Sequence, residues 1–295
     1  MTHHQGAEGN RLRDGQDGDP VRRTRLSRQT GLRITELACH DDHQSFRQAT
    51  TGTPDDAVLI VSLVRSGGFL LRTAGSEDFI DPTMGFMVAQ GGEMSIAHLP
   101  GIRDLSTVLE YRQDIHGECP AAGAAGVLRI TARVDVAHRS LVAACRAGTD
   151  AFEVAERVHS LMARLAGARS PAHGGRKAST AAAHRRLVSR VCAALTDGPP
   201  TLGLEELSRE AGCSPFHLSR VFRSVTGHTL TGYRNQLRVR AVTEELAAGQ
   251  PLRELAAKYG FADQAHMTRV FRRSVGELPG AVRALLQRPH PAGKE

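Results

Sequence analysis

Residues 204–227 (LEELSREAGCSPFHLSRVFRSVTG) recur in altered form as residues 252–276 (LRELAAKYGFADQAHMTRVFRRSVG), and no other feature restricts the fold as much. The copies agree at Leu204/Leu252, Glu206/Glu254, Leu207/Leu255 and Gly212/Gly260. After a one-residue insertion they agree again at His217/His266, Arg220/Arg269, Val221/Val270, Phe222/Phe271, Arg223/Arg272 and Gly227/Gly276. A solenoid needs about three or more repeats to bury a continuous core. Two copies point instead to a duplicated module with a paired task.

Each copy reads as helix, tight turn, helix. Gly212 and Gly260 suit the left-handed residue that ends a first helix. Ser214 followed by Pro215 supplies a hydroxyl cap and a proline at the first helical position, and Asp263 caps the second copy. On a helical wheel Leu218, Val221, Phe222 and Val225 form one core-facing stripe, as do Met267, Val270 and Phe271. The opposite faces carry Phe216, Ser219, Arg220 and Arg223 in one copy. In the other they carry Gln264, His266, Thr268, Arg269, Arg272 and Arg273. This is the sequence form of a helix-turn-helix. Arg and Gln make paired contacts with base edges in the major groove, an apolar group packs on a thymine methyl, and hydroxyls and flanking Arg reach phosphate. An outward Arg taken singly is ordinary solvated surface; the same Arg at the same place in both copies is not so easily dismissed.

Between the copies, residues 230–246 suit one helix of about 17 residues, ~25 Å long, with Tyr233, Leu237, Ala241 and Leu246 on its apolar side. Such a rod can hold two reading helices about one duplex turn, ~34 Å, apart. Arg234, Arg238 and Arg240 on it are expected to meet phosphate or solvent.

Charge supports a polyanion partner. The net charge is +7, yet residues 1–183 hold 21 Lys+Arg against 21 Asp+Glu, while residues 184–295 hold 17 against 10. The whole excess sits on the duplicated half, the footprint of a nucleic-acid binder. Five cysteines without tight spacing, no secretory leader and no apolar run of about 18 residues argue against a disulfide scaffold and a membrane span. A reduced, cytoplasmic location is expected.

The rest of the chain has a different texture. Residues 1–31 have almost no apolar content and are expected to be a disordered tail. Short apolar runs follow at Val58–Val64, Phe69–Arg72, Met84–Ala89, Met94–His98 and Thr107–Tyr111, separated by turn residues, which indicates a sandwich or small barrel able to hold a small ligand. Residues 137–165 turn helical, with Asp150 as a cap for a stripe of Val154, Val158, Leu161, Met162 and Leu165. Residues 167–183 read as a linker. The expected order is a tail (1–31), a sensor or dimerisation domain (32–166), the linker, a DNA-binding domain (184–288) and a second tail (289–295).

Residues 184–288 resemble the C-terminal DNA-binding domain of AraC/XylS-type transcription regulators. The stretch that carries the resemblance most specifically is Tyr259–Arg273 (YGFADQAHMTRVFRR), with Gly276 and Pro279 following, and residues 214–222 with Gly227 match the first reading helix. Carried over by position, base contacts fall on Phe216, Ser219 and Arg220, and on Gln264, His266 and Arg269. Residues 280–283 (GAVR) and Leu278 depart from the family pattern, so the last helix and its cap are expected to differ. The N-terminal half resembles, more loosely, the cupin-like sensor domain of such regulators.

The resemblance implies an α+β protein of two domains: an N-terminal β-barrel or cupin-like domain with a helical hairpin, and a C-terminal all-α domain with two helix-turn-helix motifs. It implies a sequence-specific regulator, more often an activator, with double-stranded DNA, RNA polymerase, a small-molecule effector and a second copy of the chain as partners. Two other readings stay open, a non-specific architectural DNA binder and a cupin-type enzyme fused to a DNA-binding domain. His98 stands alone in the barrel strands, with His40, His43 and His116 at or beyond its ends, so no metal, cofactor or catalytic residue is expected.

Overall fold

A computed structural model describes residues 21–39, 47–49, 55–73, 76–98, 103–117, 126–166, 178–200 and 202–287. Ten strands come first: β1 (Val21–Gln29), β2 (Leu32–Cys39), β3 (Arg47–Ala49), β4 (Asp55–Ser66), β5 (Phe69–Thr73), β6 (Ser76–Ile80), β7 (Met84–Gln90), β8 (Met94–Ala97), β9 (Asp104–Arg112) and, after a short α1 (Gln113–His116), β10 (Gly126–Arg129). A helical pair follows, α2 (Ala132–Arg146) and α3 (Ala151–Leu165). The C-terminal half is α4 (Ala178–Asp197), α5 (Leu204–Ala211), α6 (Pro215–Thr226), α7 (Leu230–Leu246), α8 (Leu252–Lys258), α9 (Gln264–Val275) and α10 (Pro279–Gln287).

The strands form two antiparallel sheets, not a closed barrel. One runs β1-β2-β9-β4-β7-β10 and the other β3-β8-β5-β6. Alternation along β9 explains the layering. Leu109 and Tyr111 face α2 and α3, in a core with Ile34, Val61, Leu141, Val158 and Leu161. Val108 faces the smaller sheet, in a core with Ile60, Phe69, Leu71 and Phe86. The larger sheet is thus covered by helices on one side and by the smaller sheet on the other. Asp150 caps α3 by accepting from the backbone N–H groups of Phe152 and Glu153, and the expected apolar stripe of α3 is buried.

Two expectations are corrected here. The tail was expected to reach residue 31, but residues 21–29 form β1, paired along its length with β2. Its sequence, VRRTRLSRQ, is too polar to announce a core strand. An edge strand needs only one partner and one anchoring residue, and Leu26 packs on the helix-side core. The linker is also shorter among the described residues, because α4 begins at Ala178. Residues 1–20, most of the linker, the C-terminal tail, His40, His43 and the Pro100-Gly101 turn lie outside the described residues.

The two halves are not separated by solvent. Phe79 and Leu70 of the smaller sheet join the core of the first helix-turn-helix, with Val188, Val191, Leu218 and Phe222. Ala132 and Val136 of α2 join the core of the second, with Val242, Leu255, Met267 and Phe271. Val282 and Leu286 of α10 close that second core, so the last helix packs despite its departures from the family pattern.

Candidate nucleic-acid interface

Both helix-turn-helix units form as their sequence dictates. Gly212 sits at φ 68°, a left-handed conformation that a side chain would strain, and Gly260 at φ 66° does the same in the second copy. The Ser214 hydroxyl accepts from the His217 N–H at 3.2 Å. The Asp263 carboxylate accepts from the His266 N–H at 2.6 Å. Leu218, Val221 and Phe222 are buried on α6, and Met267 and Phe271 on α9, which fixes what remains outward.

On α6 the outward face holds Phe216, Arg220 and Arg223, with Ser219 half-buried beside them. Phe216 is 77% exposed, an unusual place for an aromatic ring. On α9 Gln264, Arg269, Arg272 and Arg273 are exposed, while His266 and Thr268 are half-buried. His266 is drawn partly into the turn: its Nδ1 accepts from the Ala262 N–H at 3.4 Å, and its ring stands edge-on to Phe261 at 5.7 Å. The ten expected positions therefore form two faces, one per copy, with Arg220 and Arg269 equivalent.

The rod between them, α7, spans the expected 17 residues. Its arginines behave otherwise than expected. Arg234 donates to the Leu202 carbonyl at 2.8 Å and Arg238 to the Pro200 carbonyl, tying down the loop before α5. Arg240 is a correction: it is 1% exposed and reaches into the N-terminal half, donating to the Pro82 carbonyl at 3.1 Å and to that of Ile130. It cannot serve a phosphate in this arrangement.

Arg240 belongs to a stripe of α7 that docks on the sheets. Tyr233, seven residues earlier and so two turns away, donates its hydroxyl to the Asp81 carboxylate. Thr83 donates to the same carboxylate through both its N–H and its hydroxyl, each at 2.8 Å. Burial pushes the Asp81 carboxyl above its ordinary range, and the bonds from Tyr233 and Thr83 with the Arg240 charge pull it back. Glu244, one turn beyond Arg240, pairs with Arg65 of β4 and Arg139 of α2. Arg65 also pairs with Glu36 of β2, and Arg139 with Asp135 at 2.9 Å.

Two further arginines of the N-terminal half reach the far ends of α6 and α9. Arg129, on β10, donates to the carbonyls of Thr226 and of Val225 (3.2 Å), the last turn of α6. Arg133, on α2, donates to the Val275 carbonyl at 3.2 Å, the last residue of α9. Both satisfy carbonyls that a helix end leaves without partners and set positive charge at its negative end. No local motif marks either residue in the sequence; only their partners, about 100 or more residues away, give them this role.

Among known proteins, residues 207–285 match the helix-turn-helix domain family. The multiple antibiotic resistance protein MarA of Escherichia coli K12 is 36% identical over 72 residues, 24% of this chain and 57% of MarA. The right origin-binding protein of the same strain is 34% identical over 84 residues, 28% of this chain and 29% of that protein. The match thus spans little more than half the length of the first relative and under a third of the second. Superposition on solved structures is loose. The AraC-like transcriptional activator CuxR is 18% identical, covering 80% of this chain and 86% of its own at a TM-score of 0.40. Vibrio cholerae ToxT is 11% identical, covering 88% and 99% at a TM-score of 0.32. The likeness therefore lies in the duplicated C-terminal domain, where residues 207–285 are similar to the helix-turn-helix domain of these proteins.

Proposed function

We propose that this protein is a sequence-specific DNA-binding regulator that sets α6 and α9 into two successive major-groove segments of one duplex. The observation that carries this reading is the pair of outward faces. They share Arg220/Arg269 and Arg223/Arg272, yet place Phe216 and Ser219 opposite Ala265 and Thr268. Shared arginines suit a common docking geometry, and differing neighbours suit different bases. Backbone binding alone would not require two distinct faces.

A small effector acts on this reader from the N-terminal half. Support comes from a cleft of about 500 Å³ between the halves, lined by Phe79, Met84 and Ile130 from one side and by Val188, Tyr233 and Arg240 from the other. That size lies within the range of small-molecule sites, about 300–1,000 Å³. A ligand there would touch both halves and so bind their alternative arrangements unequally, which is what shifting an equilibrium requires. Activation, a contact with RNA polymerase, pairing through the N-terminal half and a cytoplasmic location are supported by the family likeness of the C-terminal domain. Among the described residues no helix is long and apolar enough to cross a membrane.

Selection of bound duplexes from a random pool tests the reading. It should return a two-part site whose parts lie about one helical turn apart. Arg220→Ala and Arg269→Ala should each cost about 1–3 kcal/mol on that site and relax one base pair, in different parts. Equal weakening on every sequence would make these arginines phosphate contacts. A specific-to-random affinity ratio near one would replace the reading with an architectural DNA binder.

A further inference from the structure

The helices α6 and α9 sit in separate cores. Leu218, Val221 and Phe222 of α6 pack with Leu207 and Ala211, while Met267, Phe271 and Val275 of α9 pack with Leu255 and Ala256. The rod α7 serves both, giving Tyr233 and Leu237 to the first core and Val239, Val242 and Leu246 to the second. A single connecting helix leaves the relative setting of two bodies to its own stiffness, unless a second element touches both.

A second element does. Arg129, the last residue of β10, donates to the carbonyls of Val225 and Thr226 in the last turn of α6. Arg133, in the first turn of α2, donates to the carbonyl of Val275, the last residue of α9. The two arginines are four residues apart and share one frame. Between them Ile130 is buried in the helix-side core, and its N–H donates to the Thr83 carbonyl at 2.8 Å. Thr131 caps α2 by accepting from the Val134 N–H at 3.3 Å. Strand and helix therefore do not swing independently. The fit at α9 is close: a Cβ added to Gly276, the left-handed residue after that helix, would come within 2.9 Å of Arg133 Nη2.

We infer that Arg129 and Arg133 are positioning residues for DNA binding: they brace α6 and α9 from one corner of the N-terminal half and so set the spacing of the two-part site. The inference rests on the reading of α6 and α9 as the helices that enter the groove. In this role neither arginine contacts DNA. Each acts at the end opposite the Ser214 or Asp263 cap, on carbonyls that a helix end leaves without partners inside the helix. The outward faces stay free. One added base pair displaces one part of the site by about 3.4 Å and rotates it by about a tenth of a turn. A braced pair cannot follow both moves and loses contacts in one part. A pair joined by α7 alone follows further.

The test is a ratio. The full-length chain is titrated with the two-part duplex that selection returns, and with the same duplex carrying one extra base pair between the parts. Wild type should bind the extended duplex about tenfold more weakly, the worth of one misplaced base contact. Arg129→Ala and Arg133→Ala should each reduce that penalty to about threefold. Arg164→Ala, which removes an exposed cation of α3, should keep the wild-type ratio. A loss of folded protein scales both affinities alike, so the ratio separates positioning from stability. A wild-type ratio in either Arg129→Ala or Arg133→Ala overturns the inference and leaves the two-segment reading standing. A wild-type chain indifferent to the spacing overturns both.

Discussion

Phe216 is a residue whose local environment gives it no structural work. Its ring is 77% exposed on the first position but one of α6, against no apolar neighbour in either core. Phe216→Ala should therefore leave unfolding by denaturant within about 0.5 kcal/mol of wild type. The same change should weaken binding to the selected site by about 1–2 kcal/mol, the worth of the apolar area the ring hides on a base. His138 is the opposite case. It is fully buried on α2, and neither ring nitrogen has a hydrogen-bond partner among the described residues. Burial first, and then the Arg139 and Arg65 cations, hold its imidazole well below the ordinary value. The folded chain thus refuses a proton that the unfolded chain accepts below about pH 6.5, so stability falls as pH drops through that value. Between pH 7.5 and 5.5 this group should cost about 1.4 kcal/mol. His138→Leu should flatten the pH dependence of the urea midpoint by that amount. The outward residues of α6 and α9 were legible because a wheel needs only local periodicity. His138 was not, because its surroundings come from strands and helices far away in sequence.

At the level of elements, caps and turns are local chemistry, and they follow the sequence closely. Ser214, Asp263 and Asp150 each cap the helix they precede, and α7 has its expected bounds. Elements without local signals were not legible. β1 is held by its partner strand, and β6, with its sequence SEDFI, earns its place through Phe79 and Ile80 alone. The C-terminal ends of α6 and α9 belong to this second class. Arg129→Ala and Arg133→Ala should each lower stability by about 0.3–1 kcal/mol, the usual worth of a cation at a helix C-terminus. Chemical denaturation of the two single variants measures it. Proton exchange at the last turn should rise in α6 for the first variant and in α9 for the second, since each arginine serves a different helix.

Across the whole molecule, the two halves are joined by a charged seam under an apolar one. Arg240 is buried beside Asp135, Asp81 and Arg139, and burial lowers its affinity for its proton while Asp135 opposes that shift. Removing its side chain leaves a buried void and strips the Pro82 and Ile130 carbonyls of their donor, which typically costs about 3–5 kcal/mol. Arg240→Ala should produce that loss in thermal or denaturant unfolding. Arg234→Ala, which only frees the Leu202 carbonyl, should cost about 1 kcal/mol. Equal effects would mean that the seam contributes little.

The duplication, the caps, the wheel faces and the split of charge determined by themselves that the C-terminal half would be two helix-turn-helix units carrying the chain's basic excess. These depend on neighbours three or four residues apart and on composition. Tertiary structure alone decided that Arg240 turns inward and that Arg129 and Arg133 reach the ends of α6 and α9. It also decided that Cys39, His98 and Asp104 meet between two sheets. Each of those facts depends on which distant strands and helices come to lie together, and a side chain's partners across such distances leave no periodic trace along the chain.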